Sequence, residues 1–207
     1  MTPQVRYFFY DLFFSMFACE PTDGTIDAWR RGLDAVRLAW PDEPVAEAAA
    51  GLVAALDDEG ANEAVRAEFA QLFWRPEGPV VPLLGSQYVD GKPFGPYLVR
   101  MRAFVERTPF RKRLSYSDPE DSLPFHLDLM RSLIREESQA DDPCERAAWG
   151  ALQDELAIDL MGSWADRFAA DLAQQQVGTF YRQVGILLRL QLGREQEFLL
   201  ARRAPQA

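Results

Sequence analysis

The chain has 207 residues, of which 48% are apolar and 12% aromatic. This length predicts one globular domain, or at most two closely packed lobes, and the apolar content suffices for a core. The 32 acidic residues outnumber the 22 basic ones and give a formal net charge of −10. Such a charge keeps a protein soluble and repels phosphate backbones, which argues against nucleic acid as the main partner. A basic peptide or a basic protein surface remains compatible with it.

The first twenty residues are apolar enough to raise the question of a targeting segment. Asp11 interrupts the apolar run, Arg6 is its only basic residue, and no small-residue cleavage site follows. No later stretch has 18 or more consecutive apolar residues, so we predict no membrane span. Cys19 and Cys144 have no metal-ligand spacing and predict reduced, buried thiols. We therefore predict a soluble, cytoplasmic protein.

Helical periodicity dominates the first seventy residues. Thr2 and Pro3 form an N-cap followed by proline at the first helical position, which begins the first helix. We predict that Pro41 ends the second helix and that Asn62 caps the fourth. The helices predicted in this part of the chain are 2–18, 26–40, 43–56 and 62–73.

The segment from residue 75 to 95 interrupts this pattern. It contains four prolines and four glycines, so we predict an irregular loop without a helix. Irregular segments of about 20 residues are uncommon in compact domains and are usually functional or disordered. Apolar residues within the loop, such as Leu83, Leu84, Tyr88 and Phe94, predict that it is ordered and packs on the domain.

The sign of the charge changes abruptly in a second irregular stretch, near residue 114. Arg107, Arg111, Lys112 and Arg113 precede this point, whereas residues 118–145 contain nine acids and two arginines. The basic run is interpreted as a solvated hinge, although it could also pair with the acidic turn or contact a phosphate. The helices predicted around and after this stretch are 96–106, 122–138, 143–175 and 179–201.

The predicted fold class is all-α, because no alternation typical of β-strands persists for more than a few residues. We expect a single domain of about 8–11 helices. If it consists of two lobes, these are residues 1–107 and 122–207, joined by a hinge at about residues 108–121. Such a connection permits exchange of lobes between two chains, although we predict a monomer.

The sequence contains no recognisable catalytic or metal-binding constellation. His126 is the only histidine, and neither a serine nor a cysteine nucleophile motif accompanies it. The spacings typical of zinc ligands and the glycine-rich phosphate loop are also absent. We therefore predict no enzyme activity, no catalytic residue, no metal site and no cofactor.

Residues 68–95, EFAQLFWRPEGPVVPLLGSQYVDGKPFG, resemble the signature of the TorD/DmsD family of cytoplasmic chaperones for redox enzymes. That family has a helix ending in Leu-Phe, then a proline loop of the kind P-P-W-G-S-V-[YW]-L-D, then Phe-Gly. Leu72 and Phe73 match the helix end. The loop is matched by Pro82, Gly85, Ser86, Tyr88, Asp90, Phe94 and Gly95.

The family's second signature, P-x-D-H-x-G before a leucine-rich helix, aligns with the segment that begins at Pro119. Pro119 and Asp121 are retained, whereas Ser122 stands at the family's histidine and Leu84 at the tryptophan of the loop. His126 lies about one helical turn after the histidine position, so the alignment does not assign it that role. The similarity spans roughly residues 5 to 200.

This resemblance implies a chaperone that binds the twin-arginine signal peptide or the apo catalytic subunit of a molybdenum-containing oxidoreductase. It implies help with folding, cofactor insertion and export of that subunit. Weak guanine nucleotide binding is also implied by the resemblance, and no residue here supports it independently. Two other functions stay open: a general all-α interaction module without signal-peptide specificity, and a small enzyme.

The predicted mechanism uses carboxylates, which can bind guanidinium groups bidentately. Asp118, Glu120, Asp121 and Asp128 lie near the start of one predicted helix, and apolar side chains of the loop could form a floor. Because exposed charge pairs are each worth about 1 kcal/mol or less, apolar burial would supply most of the affinity. The predicted peptide-binding residues are Leu84, Ser86, Tyr88, Phe94, Gly95, Asp118, Pro119, Glu120, Asp121, Ser122, Phe125 and His126.

Ordinary structural roles are also open for these residues. Acids around a proline are typical of a helix N-terminus, where they complement the helix dipole. Ser122 could be the N-cap of this helix, and His126 a partly buried residue on its surface. Gly85 and Gly95 could serve only backbone conformations that other residues avoid.

Overall fold

The computed structural model of the chain describes residues 1–40, 43–113 and 117–203. These residues contain ten α-helices and no β-strand, which confirms the predicted all-α class. None of the described helices is both long and apolar enough to cross a membrane. The α-helices are α1 (Pro3–Phe17), α2 (Asp23–Ala39), α3 (Pro44–Asp57), α4 (Ala61–Phe73), α5 (Gly85–Val89), α6 (Pro96–Glu106), α7 (Leu123–Gln139), α8 (Pro143–Asp154), α9 (Ala165–Ala173) and α10 (Phe180–Arg203).

The predicted cap of α4 is wrong. Gly60, in a left-handed conformation with φ of 78°, is the N-cap, and its carbonyl accepts the N–H of Ala64. Asn62 lies in the first turn, where its side-chain amide donates to Asp23 at 2.9 Å. The prediction that Pro41 ends α2 falls on a residue outside the described part of the chain.

Two further differences concern the interior of predicted elements. The loop at 75–95 contains the short helix α5, because no proline occurs between residues 83 and 92. The helix predicted for 143–175 is broken between α8 and α9 by a π-helix at Glu155–Leu160 and a 3-10 helix at Met161–Ser163. Gly162, a poor helix former, lies within this break.

Residue contacts group the chain into two units that each combine early and late parts of the sequence. Unit 1 comprises Met1–Phe14 and Leu83–Ala165, and unit 2 comprises Ser15–Pro82 and Asp166–Ala207. This grouping differs from the lobes predicted from the sequence, and it does not test whether residues 108–121 act as a hinge. Residues 114–116 of that segment lie outside the described part, so the hinge stays a prediction.

The prediction that both cysteines are buried is wrong. Cys19 and Cys144 are exposed, and neither forms a disulfide. Cys19 follows the C-terminal end of α1, and Cys144 lies in the first turn of α8 beside its N-cap Asp142. Helix ends of this kind face solvent because their terminal backbone groups need polar partners.

Unit 2 is built around an aromatic core. In it, α2 packs against α3, and both α3 and α4 pack against α10. Trp29 of α2 stacks on Phe180 of α10 with ring centroids 5.5 Å apart. Phe73 of α4 meets Tyr181 edge to face at 5.3 Å. These contacts connect helices that are more than a hundred residues apart in the chain.

A side chain from α4 caps the N-terminus of α10. Glu68 is 9% exposed. Its carboxylate accepts the backbone N–H groups of Thr179, Phe180 and Tyr181 at 2.9, 3.3 and 3.0 Å. Such N–H groups have no acceptor within their own helix, and a negative charge there also complements the helix dipole. Gly178, with φ of 78°, permits this approach, because a Cβ there would lie 2.0 Å from the Cδ of Glu68.

We predict that Glu68→Ala lowers the free energy of unfolding by about 2–4 kcal/mol, because three backbone donors lose their charged acceptor. Urea unfolding followed by circular dichroism measures this change. Glu197→Ala, at an exposed position of α10, is the matched control and should change stability by no more than about 0.5 kcal/mol. Equal effects of the two substitutions would contradict the capping role.

Candidate functional site

In unit 1, the part of the first signature that begins at Leu83 lies against the second signature. An isolated antiparallel bridge joins Leu84 to Ser122. The N–H of Leu123 donates to the carbonyl of Leu83 at 2.7 Å. The chain just before α5 is thus paired with the chain just before α7, and residues from both predicted parts of the site come together.

Asp121 fixes this pairing from a fully buried position, with 0% exposure. Its carbonyl accepts the N–H of Gly85 at 2.8 Å, and its Oδ2 accepts the N–H of Ser86 at 3.0 Å. The Ser86 hydroxyl in turn accepts the N–H of Phe94 at 3.1 Å. The second carboxylate oxygen is buried without a hydrogen-bond partner among the described residues. Asp121 therefore orders the loop in this conformation and presents no carboxylate to solvent.

Phe94 is the point at which this loop faces solvent. Its side chain is 67% exposed, and its φ of 59° is the one positive φ of a non-glycine residue in the described chain. A left-handed conformation costs a residue with a Cβ about 1–2 kcal/mol, so the surrounding contacts must impose it. The backbone at Phe94 is consequently well determined, and its side chain faces solvent.

The next residue, Gly95, is buried and closes the loop onto α6. A Cβ on Gly95 would lie 2.4 Å from Oδ2 of Asp90. That oxygen accepts the N–H of Tyr97 in the first turn of α6 at 2.8 Å. The glycine of the Phe-Gly signature is thus required for a close approach that caps α6.

His126 is fully buried, so the prediction of a partly buried surface residue is wrong. Its Nδ1 lies 2.8 Å from the carbonyl of Ser122, which can only accept, so Nδ1 carries the proton. Nε2 then accepts from the hydroxyl of Tyr97 at 3.0 Å. The Tyr97 oxygen accepts the indole N–H of Trp164 at 2.8 Å. The four residues form one directed chain of hydrogen bonds that requires a neutral imidazole.

Burial keeps this chain uncharged. It lowers the pKa of His126 to about 4, although the hydrogen bond to Ser122 and the negative charge of Asp121 oppose the shift. Burial also raises the pKa of the Tyr97 hydroxyl well above its usual value. Neither group exchanges protons with solvent near neutral pH, so the arrangement orients the segment and does not serve acid–base chemistry.

Gly85 allows α5 to pack directly on the Tyr97 and Trp164 side chains of this hydrogen-bond chain. A Cβ on Gly85 would be 2.4 Å from the Tyr97 ring and 2.9 Å from the Trp164 indole. Tyr88, one turn further along α5, stacks on Trp164 with ring centroids 5.8 Å apart. The Gly-Ser pair of the signature therefore serves packing through its glycine and hydrogen bonding through its serine.

The accessible carboxylates of the site are those before Asp121. Asp118, Pro119 and Glu120 are partly exposed. Glu120 accepts from Nε of Arg102 on α6 at 3.1 Å. Burial raises the pKa of Glu120, but its backbone N–H and the Arg102 guanidinium outweigh this and hold the pKa below its usual value. Glu120 is therefore a carboxylate that already binds a guanidinium.

Ser122 is the N-cap of α7, as one interpretation of the sequence predicted, since its hydroxyl accepts the N–H of Phe125 at 3.3 Å. Phe125, Leu84 and Tyr88 are each partly buried. Tyr88 faces Trp164, whereas Phe125 lines a separate cavity, so these side chains and Phe94 are not seen to form one continuous floor.

Sequence reasoning missed Tyr97, Arg102 and Trp164 as residues of this site. Tyr97 and Trp164 have the helical spacing that is typical of core residues. Arg102 has the spacing that is typical of charged residues on the exposed face of a helix. The one available signal was the position of Tyr97 directly after the Phe-Gly-Pro sequence of the loop.

Comparisons with known proteins identify a family and a similar fold. The sequence profile of the family described as "Nitrate reductase delta subunit" matches residues 40–170, which include both signature segments. A crystal structure of a candidate redox enzyme maturation protein from Archaeoglobus fulgidus is similar in fold, with a TM-score of 0.56 and 15% sequence identity. The similarity covers 90% of this chain and 93% of that one. Curated protein sequences gave no significant match.

Gly85→Ala should lower the free energy of unfolding by about 1–3 kcal/mol, because the added methyl group overlaps two aromatic rings that cannot move apart cheaply. Gly193→Ala is the matched control: a Cβ there meets nothing within 4 Å, so it should stabilise α10 by about 0.5–1 kcal/mol. Chemical unfolding of both variants measures the contrast, and stabilisation of the chain by Gly85→Ala would refute the packing argument.

The pKa of His126 predicts a pH-dependent stability. The pKa of about 4 in the folded chain lies below the ordinary histidine pKa of 6.5, so the unfolded chain binds the proton more tightly. The contribution is fully present above about pH 6.5 and is lost as the pH falls toward 4, in total roughly 3 kcal/mol. Between pH 7.5 and 4.5, urea unfolding should show a larger loss of stability in the wild type than in His126→Phe, because only the wild type carries the histidine.

Proton NMR gives a direct check, because the chain has a single histidine. The imidazole resonances of the folded protein should not shift between pH 8 and 5.5. An imidazole that titrates near pH 6.5 in the folded state would show that His126 is not held neutral in the hydrogen-bond chain.

Proposed function

Because the chain belongs to the nitrate reductase delta subunit family, the TorD-type family of redox-enzyme maturation chaperones, we propose that it binds a twin-arginine leader. The leader belongs to the apo catalytic subunit of a molybdenum-containing oxidoreductase. Binding in the cytoplasm would hold that subunit back while it folds and receives its cofactor, before export.

The observation that carries this proposal is the conformation of Phe94. An exposed aromatic side chain on an already ordered backbone costs little further backbone entropy when a partner covers it. Such residues supply a large share of the binding energy in peptide and protein interfaces. The apolar stretch that follows the two arginines of a leader has the chemistry to cover this ring.

Carboxylates just before Asp121 supply negative charge that complements the arginines of a leader. Glu120 directly precedes Asp121, which two successive hydrogen bonds connect to the backbone of Phe94. Glu120 now binds Arg102, whose side chain is 56% exposed, so a leader guanidinium could replace it at little cost. Asp118, two residues earlier, offers a second carboxylate.

The buried members of the predicted site have a different part in this proposal. Ser86, Gly95, Asp121, Ser122 and His126 hold the loop and do not contact the leader. Phe94, Glu120 and Asp118 contact it, with the apolar contact providing affinity and the acids providing orientation. The chaperone acts as a monomer and contributes no cofactor of its own.

Titration calorimetry with a synthetic twin-arginine leader peptide tests the proposal. Phe94→Gly should weaken binding about 10- to 30-fold, because the exposed aromatic ring is lost. Glycine adopts a positive φ without strain, so this variant should fold as stably as the wild type. Glu120→Gln should weaken binding about two- to fivefold, and added salt should reduce this difference.

Matched controls come from unit 2. Trp74→Ala removes an aromatic side chain that is 59% exposed, and Asp166→Asn removes an exposed carboxylate that is paired with Arg189. Neither change should affect the affinity for the leader. If a peptide with both arginines replaced by glutamine binds equally well, the general interaction module is the better description. If Phe94→Gly binds like the wild type, the site is misplaced.

A further inference from the structure

The basic run before residue 114 forms one side of a cavity in unit 1. The cavity has a volume of about 480 Å³ and lies between this segment and one face of α7. Among its described lining residues Asp128 is the one acid, so positive charge predominates in a chain of net charge −10. The cations that line it are Arg111, Lys112, Arg113, Arg131 and Arg135.

The positive charge on the α7 side is held in place. Arg131 forms ion pairs with Asp11 and Asp128, and its guanidinium lies 4.5 Å from the ring centroid of Phe14. Arg135 follows one turn later on the same helix, is half exposed, and forms an ion pair with Glu136 at 3.6 Å. The α7 side of the cavity therefore already binds carboxylates. The guanidinium of Arg135 lies nearer to solvent than that of Arg131.

On the opposite wall, the positive charge of Lys112 interacts with Glu120, whereas carbonyl groups hold Arg111. The guanidinium of Arg111 donates to the carbonyl oxygens of Thr108 and Phe110 at 2.6 and 2.7 Å. Carbonyl groups orient a guanidinium without neutralising it. Arg113, two residues further on, is exposed. Cations therefore face the cavity from two sides.

Phenyl rings make up much of the remaining lining. Phe14, Phe110 and Phe125 border the cavity, and Phe110 also packs against Trp149 at 6.0 Å. A bare anion would satisfy the cations and leave these rings uncovered. A ligand that combines carboxylates with an aromatic or large apolar group satisfies both parts of the lining.

We propose that this cavity binds an acidic peptide segment in which carboxylates flank an aromatic or large apolar residue. Guanidinium groups on two walls fit carboxylates bidentately, and the phenyl rings receive the apolar side chain. The charge preference is opposite to that of the leader site. The inference therefore does not depend on where, or whether, a basic leader binds, and it gives the chaperone a second contact with a client chain.

Calorimetric titration of the full chain with a capped hexapeptide of four glutamates and two phenylalanines tests the site. The same peptide with lysine in place of glutamate is the charge control, and inorganic pyrophosphate is the probe for a phosphate site. Arg113→Ala and Arg135→Ala alter exposed side chains, so both should fold normally, as circular dichroism will show. Arg37→Ala, an exposed arginine of α2 in unit 2, is the matched control.

We expect binding of the acidic peptide that depends on Arg113 and Arg135. Any binding of the lysine peptide should not change in these variants, because the proposed leader site can accept a basic peptide. Each cavity variant should weaken binding about three- to tenfold, Arg37→Ala should leave it unchanged, and added salt should weaken it. Absence of binding, or equal losses for Arg37→Ala and the cavity variants, would overturn the proposal. Tighter binding of pyrophosphate with the same dependence on Arg113 and Arg135 would also overturn it, in favour of a phosphate site. Neither variant should weaken binding of the leader peptide, which keeps the two proposals separately testable.

Discussion

A buried carboxylate holds together the part of unit 1 on which the candidate site depends. Asp121 binds the N–H of Ser86 at the start of α5, and Ser86 binds the N–H of Phe94. Burying a charge is unfavourable unless strong hydrogen bonds offset its loss of hydration. At Asp121 the offset comes from the Ser86 N–H bound to Oδ2, since Oδ1 has no hydrogen-bond partner among the described residues. The conformation of Phe94 in turn depends on the pairing of the two segments that Asp121 connects.

Unit 2 uses the same physical device for a different purpose. The carboxylate of Glu68 satisfies the N–H groups that begin α10, the longest described helix. In both units an acid from one segment binds backbone donors of another, so each acid determines a tertiary contact as well as a local one. Some of the acids that produce the negative net charge therefore have structural roles. The net charge alone would suggest only that they face solvent.

Burial determines the chemical role of the single histidine. In sequence, His126 is the natural candidate for acid–base chemistry, since it lies among acids and beside the family's second signature. In the fold, it is neutral, fully buried and bound to Ser122 and Tyr97. Its chemistry is that of a hydrogen-bonding core residue, and the residues open to a partner are its neighbours Asp118 and Glu120.

The sequence by itself determined the all-α class and most helix boundaries, and it offered Ser122 as a possible cap, because helical periodicity and capping depend on residues a few positions apart. It also carried the resemblance to the chaperone family, which family membership confirms. The tertiary structure alone decided that Asp121 is buried while Phe94 is exposed, that Glu68 caps α10, and that the basic run faces α7 across a cavity. These properties depend on contacts between residues far apart in the chain, and such contacts leave no periodic or local signal in the sequence.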